Sequence, residues 1–232
     1  MQIAAGLALA LFWTNLATPD LVQGPGAGDS PSAAARTSMP LAMPEASQLA
    51  RPAAPVGLEV PFACGARVTV SQAHNTFSHV GTDRWAWDFR VPEGTPVLAA
   101  HEGVVRMARA DSARGGCDRS FGPDANYVIL TRGDGLETQY LHFSKVFVKV
   151  GDHVPAGTVI GEVGRTGFSC GSHLHFQLQR ESPAWAGQSV PASFRDIGDP
   201  DAEQEVVSGN CGHPEPRPLQ AEARVHDTKI GD

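Results

Sequence analysis

The stretch GFSCGSHLHFQL, residues 167–178, contains two histidines separated by one residue and preceded by a glycine-containing turn. Side chains two positions apart on a β-strand point to the same face. A strand here would have one apolar face, with Leu174, Phe176 and Leu178, and one face that carries His173, His175 and Gln177. The simplest interpretation of an isolated H-x-H pattern is a half-buried strand with surface histidines. The rest of the chain has to decide whether these imidazoles do chemistry.

Composition places the chain among folded, acidic proteins. It has 232 residues, a hydrophobic content of 41% and a formal net charge of −7. This length fits one domain with flanking segments. Nonspecific binding to nucleic acid needs a basic surface, so we expect no nucleic-acid partner. Lys and Arg are scattered, and no basic helix indicates binding to a membrane surface.

The middle of the chain has the pattern of an all-β protein. From Val60 onward, short runs rich in Val, Ile and Phe alternate with Gly and Pro, and no amphipathic helix exceeds two turns. Closely spaced short strands with turn signals are typical of sandwiches and barrels. We predict an antiparallel β-sandwich or barrel-like domain with a groove, short loops and disordered flanks.

The two ends differ in composition from the middle. Residues 1–13 form an apolar run with the length of a signal-peptide core, too short to span a membrane. We predict a signal peptide over residues 1–18, although no Lys or Arg precedes the run. A flexible Pro/Ala/Gly-rich linker over 19–58, the folded domain over 59–198 and an acidic tail over 199–232 follow. We therefore expect a periplasmic or extracellular protein without stable membrane insertion.

Four cysteines are present, and none forms a C-x-x-C pair. An even number of widely spaced cysteines fits two disulfides in an oxidising compartment. Cys117 lies in a polar insertion before a strand, and Cys170 lies in the turn before the H-x-H pattern. Four cysteines allow three pairings, of which we predict Cys117–Cys170 and Cys64–Cys211.

The histidines and acidic residues can form a metal site. A catalytic zinc ion needs about three ligands drawn from His, Asp, Glu and Cys, with one position left open. His79, Asp88 and one member of the pair His173/His175 could supply them. His142 and the other member of the pair would then lie beside the metal and handle protons.

Several motifs occur together in one order along the chain. They are SHVG (78–81), WAWDFRVPEGTPVLAAHEGVV (85–105), YLHF (140–143), VKVGDHVPAGTVIGEVGRTG (148–167) and CGSHLHFQL (170–178). Over roughly residues 60–195, this order resembles the lysostaphin/LytM-type zinc metallopeptidases, peptidase family M23. The resemblance implies one zinc ion per chain and a secreted endopeptidase that cuts peptide stems or cross-links of bacterial peptidoglycan.

The resemblance also implies roles for five side chains. His175, the second histidine of H-x-H, would bind zinc together with the early pair His79 and Asp88. His173, the first histidine of the pattern, and His142 of the Y-x-H motif would be the catalytic pair. Which of these two acts as the base stays open.

At the acidic ligand, this chain departs from the short form of the family motif. That form has three residues between its histidine and aspartate, which would select Asp83. The family's aspartate is followed by an aromatic or aliphatic residue and then by the GTPV strand. Asp88, which precedes Phe89, fits this context, so we predict that Asp88 is the ligand and that Asp83 is a loop residue.

Two further residues are weaker candidates. Tyr140 is expected on the same strand face as His142 and could line the groove, or it could be a core tyrosine. His74 could be a groove or surface residue. Two alternatives to the endopeptidase stay open, namely a non-catalytic wall-binding or regulatory domain of the same fold and a zinc protease of Gly-rich proteins. We expect a monomer.

Overall fold

A computed structural model describes residues 56–212, and this part of the chain is built almost entirely from β-strands. Two short 3₁₀ turns, Gly81–Asp83 and Arg119–Asp124, interrupt them. In chain order the strands are β1 (Val56–Leu58), β2 (Arg67–Gln72), β3 (Trp87–Arg90), β4 (Pro96–Leu98), β5 (Gly103–Arg109), β6 (Gly115–Gly116), β7 (Tyr127–Thr131), β8 (Leu136–Leu141), β9 (Phe143–Val146), β10 (His153–Val154), β11 (Val159–Val163), β12 (Gly167–Phe168), β13 (Leu174–Arg180), β14 (Ala192–Phe194) and β15 (Glu205–Val207).

Eight strands form the main sheet in the order β10-β5-β7-β8-β13-β3-β2-β15, and all neighbours in it are antiparallel. A second antiparallel sheet has the order β4-β11-β9. One hydrophobic core takes side chains from both sheets, including Trp87 and Phe176 of the main sheet and Ile160 of the second. The predicted all-β, antiparallel fold is confirmed. The main sheet is open, with different strands at its two edges, and is not a closed barrel.

Both ends of the described fold extend beyond the predicted domain limits of 59 and 198. β1 pairs in parallel with β14, and β15 pairs with β2 at the edge of the main sheet. In β15, Val206 is buried while Glu205 and Val207 are exposed. Val206 is the side chain of β15 that packs into the core. Because the residues around it are mostly acidic and polar, the sequence pattern did not predict this strand.

Both predicted disulfides are present. Cys64 pairs with Cys211 and Cys117 pairs with Cys170, with Cα–Cα distances of 4.7 and 4.2 Å. The first joins the start of the domain to the segment after β15. The second joins the polar insertion to the turn before β13.

The predicted signal peptide lies outside the described residues, as do most of the predicted linker and the tail beyond residue 212. These parts of the domain prediction therefore stay predictions. Within residues 56–212, no helix is long and apolar enough to cross a membrane.

A buried histidine away from the H-x-H strand illustrates how polar groups are accommodated in this core. His101 contacts the Glu102 carbonyl through Nδ1 and the Thr138 hydroxyl through Nε2, each at 2.8 Å. Thr138 continues to the hydroxyl of Tyr140, which accepts the N–H of Ala100. A neutral imidazole satisfies both of its contacts. Burial lowers the pKa of His101 to about 4.

This arrangement predicts a pH dependence of stability. Between pH 6.5 and about 4 the unfolded chain binds a proton at His101 that the folded chain rejects. The stabilisation is therefore present above pH 6.5 and is lost as the pH falls to about 4, by an amount on the order of 3 kcal/mol. Denaturant unfolding between pH 7 and 4 should show a steeper loss for the unsubstituted chain than for His101→Gln. Parallel curves would exclude His101 as the cause.

Candidate metal centre

The position of the site follows from the pairing of the central strand β13. This strand lies between β3 and β8, and His175 is directly opposite Asp88 on one side and Leu141 on the other. Leu141 is the last residue of β8, so His142 follows at the same end of the sheet. The pairing therefore brings His175, Asp88 and His142 together from three separate segments of the sequence.

A compact His–Asp–His group lies at this end of the sheet. The ligand-type atoms of His79, Asp88 and His175 all fall within 4.8 Å of one another, and the three residues are buried. Oδ1 of Asp88 is 3.1 Å from His79 Nε2 and 2.9 Å from His175 Nδ1. His79 comes from the loop after β2. The structure thus brings Asp88 into the group, whereas Asp83 lies in the first 3₁₀ turn and contributes only to the groove lining.

His142 takes an unusual backbone conformation next to this group. Its φ of +73° lies in the left-handed region, which is strained for a residue other than glycine. Its N–H donates to the Asn126 carbonyl, and Nδ1 donates to the Thr166 carbonyl at 2.7 Å. Asn126 and Thr166 in turn both bind the carbonyl of Phe143. Contacts on both sides of the residue hold the strained conformation in place.

The strain at His142 overturns one sequence expectation. Tyr140 and His142 do not share a face, because the left-handed residue interrupts the alternation between β8 and β9. Tyr140 is fully buried and packs against Phe176 in the core, so it does not line the groove. The ring of His142 instead lies 4.6 Å from that of His173, centroid to centroid.

His74 also lies away from the groove. It packs edge-on against the rings of Trp85 and Trp87, and its Nε2 is 2.8 Å from a carboxylate oxygen of Asp199. Its partners tie the loop after β2 to the segment after β14. The surface alternative therefore describes His74 better than the groove alternative, because its polar contacts are satisfied at the rim of the fold.

Backbone carbonyls orient three of the four imidazoles at the site. Nδ1 lies 3.0 Å from the Ala73 carbonyl in His79 and 2.9 Å from the Gly171 carbonyl in His173, and His142 makes the equivalent contact described above. Because a carbonyl only accepts, each of these rings carries its proton on Nδ1 and leaves Nε2 free. For His79 the free Nε2 faces Asp88. For His173, Nε2 lies 3.6 Å from the other carboxylate oxygen of Asp88.

The charges at the site are strongly coupled. Burial opposes ionisation of Asp88, but its close contacts with the imidazoles of His175 and His79 outweigh burial and hold the pKa of the carboxyl well below its ordinary value. Burial also opposes charge on His175, yet the hydrogen bond and charge of Asp88 raise the pKa of this imidazole. Burial, and then the neighbouring His173 and His175, lower the pKa of His142 to about 3. At pH 7 the site holds an ionised carboxylate and a neutral His142.

An open groove with a volume of about 400 Å³ runs past these residues. Its lining includes the metal-type group, both other histidines and three aromatic side chains, Phe77, Phe168 and Trp185. Phe77 is 74% exposed and has a φ of +37°. Sequence reasoning missed these aromatic residues, because isolated aromatics in loops carry no periodic signal. They add apolar surface to a groove whose other lining residues include the histidines and Asp88.

The fold and the site together define the class of protein. It is an all-β domain whose groove contains a buried His–Asp–His group of the type that binds metal ions. Residues 82–189 match the model of a family described as peptidase family M23. This segment, just under half of the chain, is therefore similar to peptidase family M23. The matched segment includes Asp88, His142, His173 and His175, and it begins just after His79.

Individual relatives cover a similar part of the chain. It is 41% identical to peptidoglycan DD-endopeptidase ShyA of Vibrio cholerae over 100 residues, 43% of this chain and 20% of ShyA. It is 43% identical to lysostaphin of Staphylococcus simulans over 108 residues, 46% of this chain and 20% of lysostaphin. The chain spans about a fifth of the length of both relatives. The solved catalytic domain of the M23 protein EnpA from Enterococcus faecalis is 26% identical, with 57% of this chain and 94% of that domain covered and a TM-score of 0.44.

The donors of the group fit a zinc ion. Two imidazole nitrogens and one carboxylate oxygen are a typical three-ligand set for catalytic zinc, which leaves one position open. His79 has its Nδ1 held by a carbonyl and its Nε2 directed at Asp88, so the nitrogen on the metal side has a free lone pair. The open groove gives the remaining position access to solvent.

This geometry predicts which aspartate matters for metal content. Asp88→Ala removes the carboxylate shared by both imidazoles and should lose most of the bound zinc. Asp83→Ala, a change of the same kind in the same groove, should keep it. Zinc measured by elemental analysis on both folded variants checks the assignment, and the reverse pattern would mean that Asp83 is the ligand.

Proposed function

We propose that this chain is a zinc metalloendopeptidase that hydrolyses amide bonds in the peptide part of bacterial peptidoglycan. The observation that carries the proposal is the placement of two further imidazoles, His142 and His173, beside the His79–Asp88–His175 group on the open groove. A binding domain without catalysis has no need for five aligned side chains of this kind. Zinc would be held by His79, Asp88 and His175.

A bound zinc ion would supply Lewis-acid chemistry, because it acidifies water towards neutrality and polarises a carbonyl group. The chain has no Glu placed as in the H-E-x-x-H motif, so its histidines handle the protons. His142 donates Nδ1–H to the Thr166 carbonyl. Its Nε2 lone pair is therefore free to accept or share a proton at the groove.

His173 is the second proton-handling group. Its Nδ1–H donates to the Gly171 carbonyl, and its Nε2 lies on the metal side, 3.6 Å from Asp88 Oδ2. The ring lies against His142 and is partly exposed to the groove. The two rings lie side by side at the groove. One can act as the base through its Nε2 lone pair, and the other, when protonated at Nε2, can donate a hydrogen bond to the developing negative charge.

His142→Ala and His173→Ala should therefore keep zinc and fold but lose activity. General acid–base groups typically contribute about 10²–10⁴-fold, so each variant should lose activity by that order. His153→Ala is the matched control, since His153 is exposed on β10 at the edge of the main sheet. Turnover and zinc content are measured on all three. Near-normal turnover of one site variant would remove that histidine from the mechanism.

The substrate class is supported by the relatives and by the surface. Lysostaphin and the DD-endopeptidase share more than two fifths of their aligned residues with this chain, and the name of the latter specifies peptidoglycan. Two disulfides fit the oxidising periplasmic or extracellular location that peptidoglycan requires. The net charge of −7 disfavours tight capture by anionic wall polymers. We infer transient contact with the wall and recognition of its peptides by the groove itself.

Digestion of purified peptidoglycan tests the proposal. Amide hydrolysis should release new free amines without new reducing sugar ends, and a chelator should abolish the release. A glycosidase would instead use paired carboxylates and produce reducing ends. New reducing ends or chelator-insensitive release would exclude the endopeptidase. No release from zinc-loaded, folded protein would favour a non-catalytic wall-binding domain, and cleavage of Gly-rich proteins alone would favour the other protease alternative.

A further inference from the structure

A buried row of polar side chains continues from His175 along the same face of β13. Gln177 and Gln179 follow at intervals of two residues, and neither is exposed to solvent. The row ends at Glu137 of β8, which is fully buried and is held by Arg106 through two contacts of 2.6 and 2.8 Å. An ion pair therefore terminates one end of a row whose other end is a proposed metal ligand.

The ion pair sets the orientation of both amides in the row. The Glu137 carboxylate only accepts hydrogen bonds, so Gln179 must turn its NH₂ group towards it. Gln179 Nε2 donates to Glu137 Oε1 at 2.7 Å and to the Trp185 carbonyl at 3.0 Å. Its Oε1 then accepts from Gln177 Nε2 at 2.7 Å. Each amide donates towards the carboxylate and presents its oxygen towards the histidine end.

The histidine end of the row contains two buried atoms without a hydrogen-bond partner in the described part of the chain, one an amide oxygen that accepts and the other an imidazole nitrogen that can donate. Within residues 56–212, neither Gln177 Oε1 nor His175 Nε2 has a hydrogen-bond partner. The two residues lie two positions apart on one face of a strand. The other three imidazoles of the site use backbone carbonyls as acceptors, whereas no carbonyl contacts the ring of His175. The side chain placed to act as its acceptor is Gln177.

We propose that Gln177 is a positioning residue whose Oε1 accepts the Nε2–H of His175 and thereby leaves the Nδ1 lone pair, on the side of Asp88 and His79, free for the metal ion. The inference rests on the proposed metal centre and adds a residue that would orient one of its ligands. The Arg106–Glu137 pair acts at a distance by fixing the amide orientations of Gln179 and Gln177. Reversing either amide would place its NH₂ group against another donor.

Gln139 provides a matched control for this role. It is directly opposite Gln177 in the strand pairing, is fully buried and donates Nε2 to the Trp185 carbonyl. Gln139 therefore has the same side chain and the same burial as Gln177, but it does not lie between the Arg106–Glu137 pair and His175 in the row. Gln139→Met and Gln177→Met remove the same atoms from the same polar layer.

The experiment measures zinc affinity by competition with a chromogenic chelator and records imidazole ¹⁵N spectra of the zinc-loaded chain. Loss of an outer-shell partner typically lowers metal affinity by about 10–100-fold, so we expect a loss of this size for Gln177→Met and an unchanged affinity for Gln139→Met. In the unsubstituted chain, His175 should show a protonated Nε2 and a metal-bound Nδ1. In Gln177→Met the Nε2–H signal should shift and exchange faster with water.

Equal zinc affinities of the two variants and the unsubstituted chain would overturn the proposal, as would His175 binding zinc through Nε2. If Gln177→Met fails to fold, the spectrum of the unsubstituted chain still decides, because it reports the protonated nitrogen directly. Failure to bind any zinc would overturn the metal centre and this role together. Zinc binding that depends on Gln177 without peptidoglycan hydrolysis would support the positioning role and reject only the proposed function.

Discussion

The pairing of β13 with β3 and β8 is the constraint on which the site depends. Side chains alternate along a strand, so a slip of one residue would exchange its two faces. Leu174, Phe176 and Leu178 are fully buried in the core and prevent such a slip. With their positions set, His175 can only face Asp88, and the row of histidine and glutamine side chains follows on the opposite face. Hydrophobic packing on one side of the strand thus sets the chemistry on the other.

The polar face of β13 is as well buried as the apolar face, which is unusual for a strand carrying imidazoles and amides. Burying such groups is unfavourable unless they form hydrogen bonds. On this face the carboxylate of Asp88 and the Arg106–Glu137 ion pair supply partners for His175 Nδ1 and Gln179, while His175 Nε2 and Gln177 Oε1 have no partner within residues 56–212. The strained backbone at His142 adds a cost on the order of 1–3 kcal/mol, which the contacts of Asn126 and Thr166 offset. The domain therefore gives up some stability to hold a set of oriented imidazoles beside a groove.

Much of this arrangement could be predicted from sequence because it rests on regular alternation and on short motifs. The all-β fold and the two faces of the H-x-H strand follow from such patterns, whereas the disulfide pairings, which join residues 147 and 53 positions apart, were chosen among three possibilities. The resemblance to the family, through the aromatic residue and the GTPV strand that follow Asp88, predicted Asp88 rather than Asp83 as the ligand. The strand pattern could be predicted because strand alternation and turn chemistry act over a few residues.

The remaining features depend on backbone geometry or on long-range contacts. The left-handed conformation of His142 has no sequence signal, so the expectation that Tyr140 shares its face failed. The backbone carbonyl of Thr166 accepts the Nδ1–H of His142. Every residue has such a carbonyl, so the amino acid at position 166 gives no signal of this contact. The role inferred for Gln177 needs the position of Glu137, which is 40 residues away in sequence. The edge strand β15 depends on a single buried valine and on pairing with β2.

The central claim is that His79, Asp88 and His175 form one metal centre. Anomalous diffraction from crystals of the zinc-loaded protein, recorded on both sides of the zinc absorption edge, tests it most directly. The account predicts one strong peak per chain, about 2.0–2.2 Å from His79 Nε2, an Asp88 carboxylate oxygen and His175 Nδ1. A peak held by other residues, or no peak at this group in fully loaded protein, would contradict it.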